Sequence, residues 1–331
     1  MKLRIGMIGA GRIGKIHGGN IAARDDASLV AVADADPKAA GALAKATSAK
    51  VATIDAILAD KGIDAVAICA PTDMHADLIS RAAEAGKAIF CEKPVDLDVA
   101  RIRACLKLVD KVGVPLMIGF NRRFDPNFAA LQQRVHDGVA GAVELISIIS
   151  RDPSPPPISY IERSGGLFRD MMIHDFDMAR FLLGEEPVAV MASGSCVIDA
   201  AIGAAGDVDT AAVILETRSG RICQISNSRR ATYGYDQRME VHGAKGMLRA
   251  GNVLETTVEF AGNKGIVADP VQNFFLERYD AAYRSEIAAF IKGVSKGTPM
   301  TPSGHDGLKA ALLADAAALS VKEKRRIEVK L

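Results

Sequence analysis

Three ionisable residues stand where chemistry is easiest to place. Lys93 sits in "AIFCEKPVDLD", where the apolar run Ala88 to Cys91 delivers Glu92 and Lys93 straight into Pro94. A proline biases the residue before it toward extended backbone, so Lys93 continues its strand past the apolar core. Asp170 and His174 lie four residues apart in "GGLFRDMMIHDFDMARFL". On one helix that spacing puts both side chains on the same face. A carboxylate beside an imidazole orients the ring and makes it a better base, and imidazole exchanges its proton near neutrality. The ordinary alternatives are a surface Lys-Pro loop and a structural Asp–His pair. D-x-x-x-H also hints at a metal, but a zinc site normally takes at least three protein ligands and the sequence offers no third nearby, so no metal is expected.

Such residues need a scaffold that delivers them to strand ends and to a half-buried helix. The first third of the chain alternates short apolar strands ("LRIGMIG", "LVAVAD", "AVAICAP", "AIFCEKP", "PLMIGF") with helical stretches near Arg12 to Arg24, after Pro37, and over Asp73 to Ala85 and Val99 to Val112. That alternation predicts βαβ units and a doubly wound parallel sheet covered on both faces. Ligands of such a sheet sit outside the carboxyl ends of its strands, and Lys93 lies at one. "GAGRIG" follows the first strand and opens a helix. Gly9 allows a tight turn, Gly11 lets the backbone approach a pyrophosphate, and Gly14 permits close helix–strand packing. Arg12 and Ile13 lie between them, at a helix N-terminus suited to phosphate. Asp34 ends the second strand at the spacing of a ribose-binding acid. A carboxylate there accepts from both ribose hydroxyls and repels a 2′-phosphate, which predicts NAD rather than NADP. The alternative role for an acid here is capping the next helix, which Asp36 can supply instead.

After Phe120 the pattern changes to longer strands with few helices between them: "VELISIIS", "VAVMASGSCVI", "TAAVILET", "RICQISNS" and "RMEVHGAKGMLRA". "ETRSGR" reads as a hairpin turn, and "DPSPPPISY" as a proline-stiffened loop. The expected fold class is therefore an α/β Rossmann domain over residues 1–120, then an α+β domain over 121–331 with a large, mostly antiparallel open sheet. Helices are expected over Phe168 to Leu183, roughly Asn273 to Lys292, and about Asp306 to Val321, the last packing on either domain. With helices on one face only, the sheet's other face needs cover, and self-association supplies it most simply.

Composition excludes several classes. The 331 residues are 49% hydrophobic and 24% charged, enough for a sizeable buried core. The net charge of +1 is spread along the chain, which argues against a nucleic-acid surface. No apolar run is long enough to span a bilayer, and the first residues run directly into a strand with no export pattern. The five cysteines show no CxxC or Cys/His spacing. They are expected to be reduced core residues of a cytoplasmic protein.

In this order and at these separations, "GAGRIG", "APTDMH", "EKP" and "GGLFRDMMIHDFD" resemble the glucose–fructose oxidoreductase/inositol dehydrogenase (Gfo/Idh/MocA) family, over essentially the whole chain. "GFNRRFD", "RDPSPPP", "IHDFDMARFL" and "NSRRATYGYDQRMEVHGAKG" look most like its inositol 2-dehydrogenase branch. The resemblance implies NAD-dependent oxidation of a cyclic polyol, myo-inositol to scyllo-inosose. It implies a catalytic set of Lys93, Asp170 and His174: His174 as base, Asp170 orienting it, and Lys93 donating to the oxygen on which charge develops. It further implies cofactor contacts from Ala70, Thr72, His75, Glu92 and Lys93, and substrate contacts from Arg123, Asp152 and Tyr233, with Tyr235 a close competitor. Arg123 has the alternative of pairing with Asp125, Tyr233 of packing, and His75 of an exposed helical position. Met171 and Met172 depart from the family pattern, where a smaller or polar contact is expected, and this predicts altered tolerance for other sugars. Family members form dimers and tetramers. The rival readings are a dehydrogenase of another inositol isomer or an aldose, and a non-catalytic NAD-sensing protein, which would have no use for Lys93, Asp170 and His174 together.

Overall fold

The computed structural model describes residues 2–331. Its first sheet has six strands: β1 (Leu3–Ile8), β2 (Ala27–Ala33), β3 (Lys50–Val51), β4 (Ala65–Ile68), β5 (Ala88–Glu92) and β6 (Leu116–Gly119). They lie in the order β3-β2-β1-β4-β5-β6, all parallel. This is the doubly wound order of dinucleotide-binding folds, with its switch point between β1 and β4. Near-continuous apolar strands make sense here, because helices cover both faces: β4 is buried at every position. The helices that return the chain are α1 (Arg12–Ala22), α2 (Pro37–Thr47), α3 (Ile54–Ala59), α4 (His75–Glu84) and α5 (Val99–Val112). Their starts carry sequence-local caps. Asp36 accepts from Lys38 N–H, Thr53 from Ala56 and Asp98 from Ala100.

The chain divides into two compact units, residues 1–124 with 282–311, and 125–281 with 312–331. The sequence reading left the last helix open to either domain but did not anticipate that 282–305 also returns to the first unit. The helix Asp280–Lys296 lends Ile287, Phe290 and Ile291 to the core beneath β1, β4 and β5. The last long helix, Gly304–Glu323, contributes its first eight residues to the first unit and the remainder to the second.

The second unit is built on seven strands: β7 (Val143–Arg151), β8 (Pro187–Ser195), β9 (Thr210–Thr217), β10 (Ile222–Ser228), β11 (Asp236–Gly243), β12 (Gly246–Ala250) and, after the hairpin β13 (Glu259–Gly262) and β14 (Gly265–Ala268), the short β15 (Ile327–Glu328). Their order is β12-β11-β7-β10-β9-β8-β15, antiparallel except where β10 runs parallel to β7. "ETRSGR" makes the expected turn between β9 and β10. One face packs on the helix Ile173–Leu183, which lies against β7 and β10. Met191, Ile214, Ile222, Leu145 and Met247 are each 37–49% exposed. The strand registers place them on one common face, opposite the buried Ile146, Val213 and Ile225. All five cysteines are free thiols.

Candidate active site

In the first unit the glycine turn leaves β1 as its spacing predicts. Gly9 has φ +103°, and a Cβ on it would lie 2.4 Å from the Cys69 carbonyl. A Cβ on Gly14 would lie 2.1 Å from Gly9 O, so α1 packs on the turn only with glycine there. Gly11 faces open space, with nothing within 4 Å of the place a Cβ would take. The turn is thus tight where it must pack and open where a pyrophosphate would approach. Asp34 locks it: Oδ2 accepts from Ala10 N–H at 2.5 Å and Oδ1 from Asp36 N–H at 2.7 Å. Capping of α2 falls to Asp36, so Asp34 keeps its place at the end of β2.

Two further strand ends join this one. The turn after β4 carries Ala70 and Thr72, and β5 ends in Glu92 and Lys93. His75 ties them together: it is buried, with Nε2 2.8 Å from Ala70 O and Nδ1 2.7 Å from Pro94 O. The alternative of an exposed His75 is therefore wrong, and both ring nitrogens serve the loops rather than open solvent. The Lys93–Pro94 peptide is cis. Arg123 pairs with Asp306 at 3.2 Å and not with Asp125. Asp125 is instead held by Arg278 and caps the helix Pro126–His136.

In the second unit, the single helix expected over Phe168 to Leu183 is broken. One helix ends at Asp170 (Gly166–Asp170) and the next begins at Ile173 (Ile173–Leu183). Met172 N–H reaches back five residues to Leu167 O, which accommodates the break. Asp170 closes the first helix and His174 opens the second, so the simple one-turn spacing does not describe them. Met171 and Met172 are 6% and 0% exposed. They are core residues at the break between the two helices.

Asp170 sits in a charged network that the sequence did not reveal. Tyr160 donates its hydroxyl to Asp170 Oδ1 at 2.8 Å, and Arg229 Nη1 lies 3.9 Å from Oδ2. Arg229, 1% exposed, also donates through Nη2 to Asp207 at 3.3 Å. Asp207 in turn accepts from Leu167 N–H at 2.9 Å, at the start of the helix that ends in Asp170. The Tyr160 phenol is pushed well up by desolvation of its hydroxyl, although the ring is half exposed, and then by the Asp170 charge. Asp152 also acts on Tyr160, so it belongs to the same neighbourhood. Tyr233 is half exposed, with its hydroxyl donated to Asp236 at 2.6 Å, while Tyr235 is buried edge-on to Tyr279. Arg229 had one sequence signal, its place in "NSRRATYGYD"; Tyr160 and Asp207 had none.

A doubly wound sheet with a glycine turn after its first strand and an acid after its second, joined in one chain to an α+β unit bearing an Asp and a His, is the arrangement of a nicotinamide-dependent oxidoreductase. The chain belongs to the GFO/IDH/MocA family: residues 3–120 match its oxidoreductase, NAD-binding Rossmann fold, and residues 128–249 its C-terminal domain. Its cofactor is NAD, which the glycine turn and Asp34 fit. It is 59% identical to the inositol 2-dehydrogenase of Rhizobium meliloti, over 99% of this chain and 100% of that one. It is 46% identical to the myo-inositol 2-dehydrogenase of Thermotoga maritima, over 99% and 98%. The scyllo-inositol dehydrogenase of Lactobacillus casei, solved with NAD(H) and scyllo-inositol, superposes with a TM-score of 0.92 at 30% identity, covering 99% of each chain.

Proposed function

We propose that this protein oxidises a ring carbinol of a cyclic polyol, with myo-inositol to scyllo-inosose as its principal reaction. The observation that carries the reading is 59% identity to an inositol 2-dehydrogenase over 99% of this chain and 100% of that one. Bound NAD supplies the hydride acceptor. His174 takes the hydroxyl proton as the C–H bond gives up its hydride, so the carbinol becomes a ketone and the imidazole an imidazolium. Asp170 orients that ring and offsets its new charge. Lys93 donates to the reacting oxygen and stabilises alkoxide character as it develops. Arg229 and Tyr160 support Asp170 in this role, the phenol by its hydrogen bond and the guanidinium by its nearby charge.

The polyol's remaining hydroxyls need polar partners. Asp152, in the neighbourhood of Tyr160, is one of them. Arg123 and Tyr233 serve it only by sharing the bonds they make to Asp306 and Asp236. On the cofactor side, Ala70 and Thr72 line the turn after β4, while His75 shapes that turn from behind. The protein acts in the cytoplasm as a dimer or tetramer, its apolar sheet face covered by another copy.

The test is absorbance of reduced nicotinamide with a panel of cyclitols and aldoses, run with NAD and with NADP. Reduction of NAD by myo-inositol, with NADP far weaker, is the expected outcome. A stronger response to another isomer or to an aldose moves the substrate within the family. Failure to reduce NAD with any polyol would leave an NAD-sensing protein. Light scattering tests the assembly, and a monomer at working concentration would remove it.

A further inference from the structure

A buried trio of ionisable side chains in the first unit has no part in the reaction described so far. His17 on α1, Glu92 at the end of β5 and Glu286 on the helix Asp280–Lys296 each bring one donor or acceptor atom within 4.8 Å of the others. His17 and Glu286 are both 0% exposed. The walls are largely apolar: Phe90 and Tyr283 meet the His17 ring edge-on, at 4.9 and 5.6 Å. On the β6 side, a Cβ on Gly119 would lie 3.1 Å from the Glu92 carboxylate. Cys69 and Cys91 feel the Glu92 charge, and Tyr283 meets the His17 ring. Burial, followed by the Glu92 charge, pushes the Cys69 thiol well up.

Hydrogen bonding within the trio is unequal. Glu92 Oε1 lies 2.7 Å from His17 Nε2, and Glu92 Oε2 accepts from the Lys93 N–H at 3.3 Å. Among the described residues, neither carboxyl oxygen of Glu286 has a hydrogen-bond partner. Two carboxyls this close in apolar surroundings do not both ionise; one keeps a proton. Glu92 has the imidazole and an amide to stabilise a charge, and Glu286 has neither. Burial, and then the Glu92 charge, accordingly push Glu286 well above the usual carboxyl range.

We propose that Glu286 is a neutral carboxylic acid acting as a positioning residue: its proton, directed into the Glu92–His17 pair, holds the Glu92 carboxylate against the Lys93 N–H and so fixes the backbone from which Lys93 works. This rests on the role given to Lys93 above. A proton here replaces the second cation that two carboxylates would otherwise require. It leaves the Glu92 oxygens free to accept from both of their partners. The same trio, one imidazole and two carboxylates, is also a donor set for a divalent cation, and the test must separate the two.

Infrared difference spectra of the isotope-labelled protein against Glu286→Gln, with metal analysis of both, decide the protonation. The expected result is a carboxylic-acid carbonyl band in the parent, absent from the variant, and no bound metal. A missing band, or one equivalent of divalent metal lost in Glu286→Gln, would overturn the proposal. Kinetics decide the positioning. Glu286→Gln keeps a donor toward Glu92 and should retain kcat within about twofold, whereas Glu286→Leu, with no donor, should lose about tenfold to a hundredfold in kcat at unchanged NAD affinity. Urea unfolding of Glu286→Leu checks the fold: parent-like stability beside lowered kcat shows that the loss does not reflect unfolding. Parent-like kcat in Glu286→Leu overturns positioning. Lys93→Met is the control: normal turnover there would remove the role given to Lys93, while the infrared band tests Glu286 in either case.

Discussion

Glu286 in the first unit and Asp209 in the second are equally inaccessible, each 0% exposed, but they meet opposite surroundings. Neither oxygen of Glu286 meets a donor. Asp209 collects the N–H groups of Val197, Ile198 and Asp199 at 3.0, 2.7 and 3.1 Å, with the Thr210 hydroxyl at 2.9 Å. Burial alone would push Asp209 up, as it does Glu286. Its donors outweigh burial and hold it at about 2. Asp236 follows Asp209: burial opposes its charge, while Arg238, Tyr233 and Asn252 hold it below the usual range. Donor supply, rather than depth, decides which buried carboxyl is a charge and which is an acid.

The two carboxyls should consequently contribute to the pH dependence of stability with opposite sign. Asp209 falls from an ordinary 3.8 to about 2, so its contribution is complete above 3.8 and is lost as pH falls toward 2. Glu286 is raised from an ordinary 4.5, so its contribution is complete below 4.5 and is lost as pH climbs through its folded value.

Four substitutions probe this contrast. The largest effect belongs to His174→Ala, which removes the proposed base from the second unit. Its kcat should fall by about 10²- to 10⁴-fold, with NAD binding by fluorescence titration intact; near-normal turnover would end that role. Arg229→Leu comes next. It strips Asp207 and Asp170 of their buried guanidinium and should cost about 3–5 kcal/mol in urea unfolding. If it proves as harmless to stability as Glu286→Leu, the distinction between paired and protonated carboxyls fails. Asp209→Asn should cost about 1–3 kcal/mol at neutral pH, and its stability should change less than the parent's between pH 4 and 2. A parallel acid profile would show that Asp209 is not held ionised. Tyr160→Phe should be mildest. Removing one hydrogen bond from Asp170 is worth about 1 kcal/mol, read as a modest drop in kcat and a displaced pH profile; an identical profile would separate Tyr160 from the reaction.

Much of the first unit was legible because its signals are local. The glycines of the turn, Asp34 at the end of β2, and the proline after Lys93 each act within a few residues of backbone. The Asp–His element was misread in its geometry because i,i+4 spacing presumes an unbroken helix. The break at Met171 and Met172 follows from burying both side chains, a demand of packing that periodicity does not express. His17 and Glu286 had a faint signal, since each interrupts an apolar helix face: Gly14, His17, Gly18, Ile21 on one, and Ala282, Tyr283, Glu286, Ile287, Phe290 on the other. Nothing in either helix says that the two meet.

Sequence alone determined the strand order's class, the cofactor, the family, and the candidate residues Lys93, Asp170 and His174, because turns, caps and strand ends are written by neighbouring residues. Tertiary structure alone decided that Asp306 holds Arg123, that Arg229 serves Asp170 and Asp207 together, and that Glu286 lies beside Glu92. Those pairings join residues up to 194 positions apart in the chain. Electrostatics depends on distance through space, and only folding sets that distance.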